Sequence, residues 1–171
     1  GYDDGSNYIW LMATDSADVL ICQNVDAGVS EGFKKTTRVF RDTSAWTHLM
    51  VVWDTTNVTG GDRQRLYVNG VRVTDLTTDS DPALNEESEI NTTSHSHAYN
   101  AYNASQFGDG YLAEVVFIDG TALEPSSFGE TDTSTGRWIP KDVSGLTFGT
   151  NGHYLAFASE NNLGDDTSGN G

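Results

Sequence analysis

The chain has 171 residues, 36% hydrophobic and 11% aromatic, enough for one domain with a two-layer core and too apolar for a disordered polymer. Nine Lys and Arg against 25 Asp and Glu give a net charge of −16, which repels phosphate backbones and anionic headgroups and argues against nucleic acid or membrane insertion. One cysteine, Cys22, excludes an intramolecular disulfide and a Cys-rich zinc site, and mildly favours assembly in a reducing compartment.

The first residues, Gly1-Tyr2-Asp3-Asp4-Gly5, have neither Met nor an apolar leader, so the chain reads as a fragment of something longer. Tyr8-Ile9-Trp10-Leu11-Met12 and Val19-Leu20-Ile21-Cys22 are short apolar runs between Asp, Gly and Ser clusters, which predicts strand, turn, strand. Within the second run, Cys22 reads as a small buried hydrophobe rather than a nucleophile. Residues 46–53 predict a further strand, apolar on both faces at its end and therefore central in a sheet. Residues 65–68 and 71–74 alternate around Asn69-Gly70, the strongest short-range hairpin signal, because a type I′ turn needs positive φ at both central residues. Leu66 and Val68 should share one face, as should Val71 and Val73, with Arg65 and Arg72 outward.

Residues 77–110 are rich in Thr, Ser, Asp, Glu and Asn and predict a long surface loop with at most one short edge strand. Residues 111–118 predict a strong strand closed by Asp119-Gly120. Residues 123–128 predict one helical turn with Pro125 early, where its missing N–H is harmless, and residues 153–158 predict the last strand. With 18 Gly for the turns and a periodicity of two throughout, the expectation is a single all-β domain over 1–171, a two-sheet antiparallel β-sandwich.

A Trp-opened strand, an Asp loop and then Arg-Leu-Tyr-Val-Asn-Gly-Val-Arg-Val over 65–73 resemble the laminin-G-like, concanavalin A-like jelly roll. Asp109-Gly110-Tyr111-Leu112-Ala113-Glu114-Val115 and Asp119-Gly120-Thr121-Ala122-Leu123 are similar to its penultimate strand and the turn that follows. The pattern covers about residues 38–128 and is specific for fold, since this fold hosts lectins, adhesion modules and glycosidases alike. Phe128-Gly129-Glu130-Thr131, Gly136-Arg137-Trp138-Ile139-Pro140-Lys141, residues 149–157 and residues 163–171 resemble segments of phage tail-fibre and virion-surface proteins. The resemblance implies a virion-surface module that meets host glycans, or other virion or cell-surface proteins, as a homo-oligomer such as a trimer.

Catalytic chemistry finds little footing. Glycoside hydrolysis needs two carboxylates flanking the bond, and Glu114 and Asp119 are an odd number apart, so they face opposite sides of a regular strand. Glu86, Glu87 and Glu89 lie in the loop, and no Gly-x-Ser-x-Gly elbow exists. The chain therefore reads as no enzyme.

Two metal readings arise. Asp79 and Asp81, followed by Glu86, Glu87 and Glu89, supply hard oxygens that could hold Ca²⁺, the candidate cofactor, against the plainer reading of a solvated acidic loop. His95 and His97 face one side of an extended segment, and on a three-fold axis six imidazoles could hold an octahedral transition metal; chance occurrence in a Thr/Ser-rich loop is the plainer reading. For glycan binding, Tyr99, Tyr102 and Phe107 interleave with Asn100, Asn103 and Gln106, aromatic faces beside amides, against the reading that they cover a sheet edge. The leading expectation is a non-catalytic, glycan-binding or adhesive virion-surface module. The alternatives are a secreted, extracellular lectin-like domain and a degenerate glycosidase-like domain.

Overall fold

A computed structural model describes residues 8–14, 17–91, 97, 99, 101–103, 106–107 and 110–170; for 8–14, 89, 101–103 and 106–107 it describes the backbone alone. The strands are β1 (Tyr8–Thr14), β2 (Val19–Asp26), β3 (Val29–Val39), β4 (Leu49–Trp53), β5 (Gln64–Val68), β6 (Val71–Arg72), β7 (Leu76–Ser80), β8 (Ala101–Asn103), β9 (Gln106–Phe107), β10 (Val115–Phe117), β11 (Gly129–Thr131), β12 (Trp138–Pro140) and β13 (His153–Leu155). Three single 3-10 turns, Gly60–Asp62, Glu89–Asn91 and Pro125–Ser127, are the helical elements among the described residues. The chain is all-β.

Among the described residues the strands pair antiparallel into five small sheets: β1-β2-β3-β7, β4-β5-β6, β8-β9, β10-β13 and β11-β12. Leu20 on β2 meets Leu66 and Val68 on β5 in the core, with Phe40, Leu49, Val51 and Val73 packed around them. Burying side chains of this size contributes about 1.5–3 kcal/mol each. Gln64 ties the same two sheets together, its Nε2 donating to the Cys22 carbonyl at 3.3 Å and to Cys22 Sγ at 3.1 Å. Cys22 is fully buried, as its apolar setting predicts.

The Asn69-Gly70 hairpin forms as expected, with φ of +50° and +76°, and joins β5 to β6. The glycine has a second reason to be there: a Cβ on it would run into the Trp138 ring. Leu66 and Val68 share the buried face, whereas Val71 is exposed and Val73 alone of that pair reaches the core. Arg72 is partly exposed on Asp62 at 2.5 Å. Arg65 is not outward: its side chain is largely covered and pairs with Glu124 at 2.9 Å.

Other expectations need correction. β4 is shorter than residues 46–53, with Trp46 exposed, and it stands at one end of its sheet, so β5 is the central strand. The strand expected over 111–118 shrinks to β10: Glu114 takes φ +50° and Tyr111 is 92% exposed, so the apolar run before the kink does not join the sheet. The last strand likewise stops at Leu155, before Phe157 turns to φ +50°. In the stretch 77–110 the one short edge strand that the sequence allowed is present, and the described residues hold a hairpin besides. β7 forms the edge of the four-stranded sheet, and β8 and β9 make a small hairpin. The turn at 125–127 forms with Pro125 at its start.

Candidate functional site

Two charged clusters carry structural explanations. Asp79 and Asp81, read from sequence as calcium ligands, both accept from the ammonium of Lys34, whose side chain is 4% exposed. The lysine supplies the positive charge these carboxylates would otherwise seek. Nearby, Lys34, Arg65 and Arg72 border a cleft of about 130 Å³, yet each already has a carboxylate partner.

A different constellation forms where β10 and β13 pair, Phe117 opposite His153. The approach of the two strands depends on Gly152, which is buried, and where a Cβ would collide with the carbonyls of Phe148 and of Phe117 on β10. Asp119, just past β10, donates its backbone N–H to the Phe148 carbonyl at 2.8 Å. Its carboxylate accepts from Asn91 Nδ2 at 2.8 Å through Oδ1 and from the Asn151 backbone N–H at 3.1 Å through Oδ2. Asn151 Nδ2 in turn donates to Asn91 Oδ1 at 2.9 Å, which closes a ring of three polar residues at the surface. A carboxylate offers about four lone-pair positions, so two remain for an incoming donor.

Beside this ring lies a half-buried aromatic group. His97 stands edge-on to Phe117 with centroids 5.3 Å apart and 5.4 Å from His153, and Tyr99 is 5.7 Å from His153. The Tyr99 hydroxyl contacts His153 Nε2 and lies 3.4 Å from His97 Nδ1. Burial pushes the Tyr99 phenol up to about 12. Burial, and then the neighbouring His97, hold His153 below its ordinary value, while Asp166 and a hydrogen bond to the Asn151 backbone act against them. The two groups share one support: the turn Glu89–Asn91 offers the Ile90 carbonyl to His97 Nε2 at 2.7 Å and the Asn91 amide to Asp119.

The C-terminal segment fastens the loop between. Asp166 Oδ1 accepts from the Tyr154 backbone N–H at 2.9 Å, and Asn170 Nδ2 donates to the carbonyls of Gly149 at 2.6 Å and Gly152 at 2.9 Å.

Of the residues singled out from sequence, Tyr99 and His97 belong to this constellation. Asn100 and His95 lie outside the described residues, and Tyr102, Asn103 and Phe107 are described only as backbone in β8 and β9. Asn91, Asn151 and His153 escaped the sequence reading, and Asp119 was weighed there only with Glu114, because the four come together across 28 to 60 residues. Asp119 looked like a turn residue before Gly120 and His153 like the start of a strand. Among the described residues no three His, Cys, Asp or Glu side chains gather in a way that could hold a metal, and no helix is long and apolar enough to cross a membrane. No protein-family model, curated protein or solved structure matches the chain.

Proposed function

We propose that the chain is a non-catalytic binding module that takes a neutral glycan at the Asn91–Asp119–Asn151 ring. One observation carries the reading: a surface carboxylate with spare lone pairs is held by two asparagines, and Asp119 and Asn151 stand two residues along the chain from Phe117 and His153, whose rings pack together with Tyr99 against His153. A sugar ring needs this pairing, fixed acceptors and donors for its hydroxyls and an aromatic border for its C–H faces. The charge of −16 disfavours sulfated or sialylated glycans and favours uncharged ones. The reading of the fold as a laminin-G-like jelly-roll sandwich rests on the sequence pattern over 38–128 and is supported by the contact of Leu20 with Leu66 and Val68 between two sheets. Placement on a virion surface rests on the resemblance of the C-terminal segments, and a secreted lectin-like domain would use the same site.

A glycan array followed by calorimetry tests the site. Saturable binding to neutral oligosaccharides, weakened at least about tenfold by Asp119→Ala and by Asn151→Ala with unfolding midpoints near the parent's, is expected. Absence of neutral-glycan binding, or binding indifferent to both substitutions, overturns the proposal. Hydrolysis of a bound polysaccharide that Glu114→Gln abolishes would overturn the non-catalytic reading.

A further inference from the structure

We propose that His97 Nδ1, His153 Nε2 and Tyr99 Oη form a binding site for a borderline divalent transition cation such as Zn²⁺. The proposal shares the Tyr99 and His153 rings with the glycan site but uses their polar atoms and none of the polar ring, so zinc binding is read apart from glycan binding by its own titration.

The tautomer of His97 follows from its partner. The Ile90 carbonyl can only accept, so the 2.7 Å contact fixes the N–H on Nε2 and leaves the Nδ1 lone pair turned inward, 3.4 Å from the Tyr99 oxygen. His153 Nε2 contacts that same oxygen, and its ring is further held by a hydrogen bond to the Asn151 backbone. Two imidazoles and a phenol thus converge on one point, each imidazole with an outer contact to backbone. Backbone carbonyls on the outer N–H of a histidine are what orient ligating imidazoles and raise their basicity. Imidazole nitrogen suits zinc, copper and nickel, while Ca²⁺ prefers an all-oxygen shell. Phe117 packs against both imidazoles, perpendicular to His97 at 5.3 Å between centroids and tilted to His153 at 5.4 Å.

Binding replaces the phenol O–H by an O–metal bond, and the proton leaves to solvent, one per cation. In this site the partner ligand of His97 is His153, 56 positions further along the chain.

The test is a Zn²⁺ titration of the intact, chelator-treated chain, read by calorimetry and by near-ultraviolet difference absorption. Expected are one site per chain, a tyrosinate difference band that Tyr99→Phe removes, and affinity reduced at least about tenfold by His97→Gln and by His153→Gln. His95→Gln should leave binding unchanged, and Ca²⁺ should not compete. The zinc-free circular dichroism spectrum of each variant checks that it folds. The wild-type titration alone can overturn the proposal, either by failing to saturate or by saturating without the tyrosinate band. Binding that survives both histidine substitutions also overturns it.

Discussion

Lys34 on β3 and Asp79 on β7 stand directly opposite one another in the antiparallel register, and the buried ammonium reaches Asp81 as well. The β3–β7 pairing thus joins an inward-facing cation to one carboxylate on the edge strand and one just past its end, both in touch with water, with side chains 59% and 30% exposed. Removing one carboxylate leaves the lysine a partner, whereas removing both strands a charge in the interior.

The asymmetry gives a stability prediction. Asp79→Ala alone should cost about 0–1 kcal/mol, as for other solvent-screened pairs. The double variant Asp79→Ala/Asp81→Ala should cost about 3–5 kcal/mol, the range for an uncompensated buried charge. Urea unfolding of the three proteins measures the difference; equal losses for single and double variants would show that Lys34 is hydrated after all.

Cys22 should resist thiol reagents in the folded protein. Burial pushes its thiol up to about 12, against the opposing effects of the Gln64 hydrogen bond and the Lys34 charge. The unfolded chain ionises near 9 while the native state keeps its proton, so this thiol's contribution to stability is intact below pH 9 and declines as pH rises from 9 toward 12. Labelling rates at neutral pH should follow the unfolded fraction across a urea series. Fast modification in native buffer would contradict the burial.

His48 gives the opposite dependence. Burial holds its imidazole below the ordinary 6.5, beside the Trp138 ring at 5.6 Å. The unfolded state takes up the proton first, so the stabilisation present above pH 6.5 is lost as pH falls through the native value. His153 shifts in the same direction. Melting temperatures from pH 7.5 to about 5 should fall more steeply for the parent than for His48→Gln. Parallel curves would show that His48 contributes nothing to the slope.

Gly152→Ala should cost about 3 kcal/mol, the upper part of the overpacking range, because the new methyl group meets the Phe148 carbonyl and cannot rotate away. The same substitution should displace Asn151 and His153 together. Weakened glycan and zinc binding in a still-folded Gly152→Ala protein would report that shared dependence; intact binding of both would break the link drawn between the close approach and the site.

The sequence pattern announced the elements whose inward faces are apolar. Leu66 and Val68 alternate around an Asn-Gly turn, and β2 begins with four buried residues, Val19 to Cys22. β3 was invisible, although it is the longest strand described, because the residues it turns inward are Gly32, Lys34 and Thr36. Their burial is made acceptable by contacts no local pattern reveals. Thr36 Oγ1 accepts from the Leu20 N–H at 3.1 Å, Lys34 finds its carboxylates, and Gly32 lies under Trp53 and Gln64. The strand expected over 111–118 failed for the converse reason. Tyr111 and Leu112 supply apolar residues, but the positive φ at Glu114 breaks the run and both are left exposed. For the site, the aromatic half was legible through Tyr99 and His97, while the polar half required strands far apart in sequence to pair.

Asn170 grips the carbonyls of two glycines at once, on either side of Asn151. A pull or twist applied at residue 170 is therefore delivered first to the 149–152 loop, and through it to the Asp119 carboxylate and the His153 ring. Residue 170 and the 149–152 loop are one mechanical piece, so a load taken up at the first is felt at both side chains that the second holds in place.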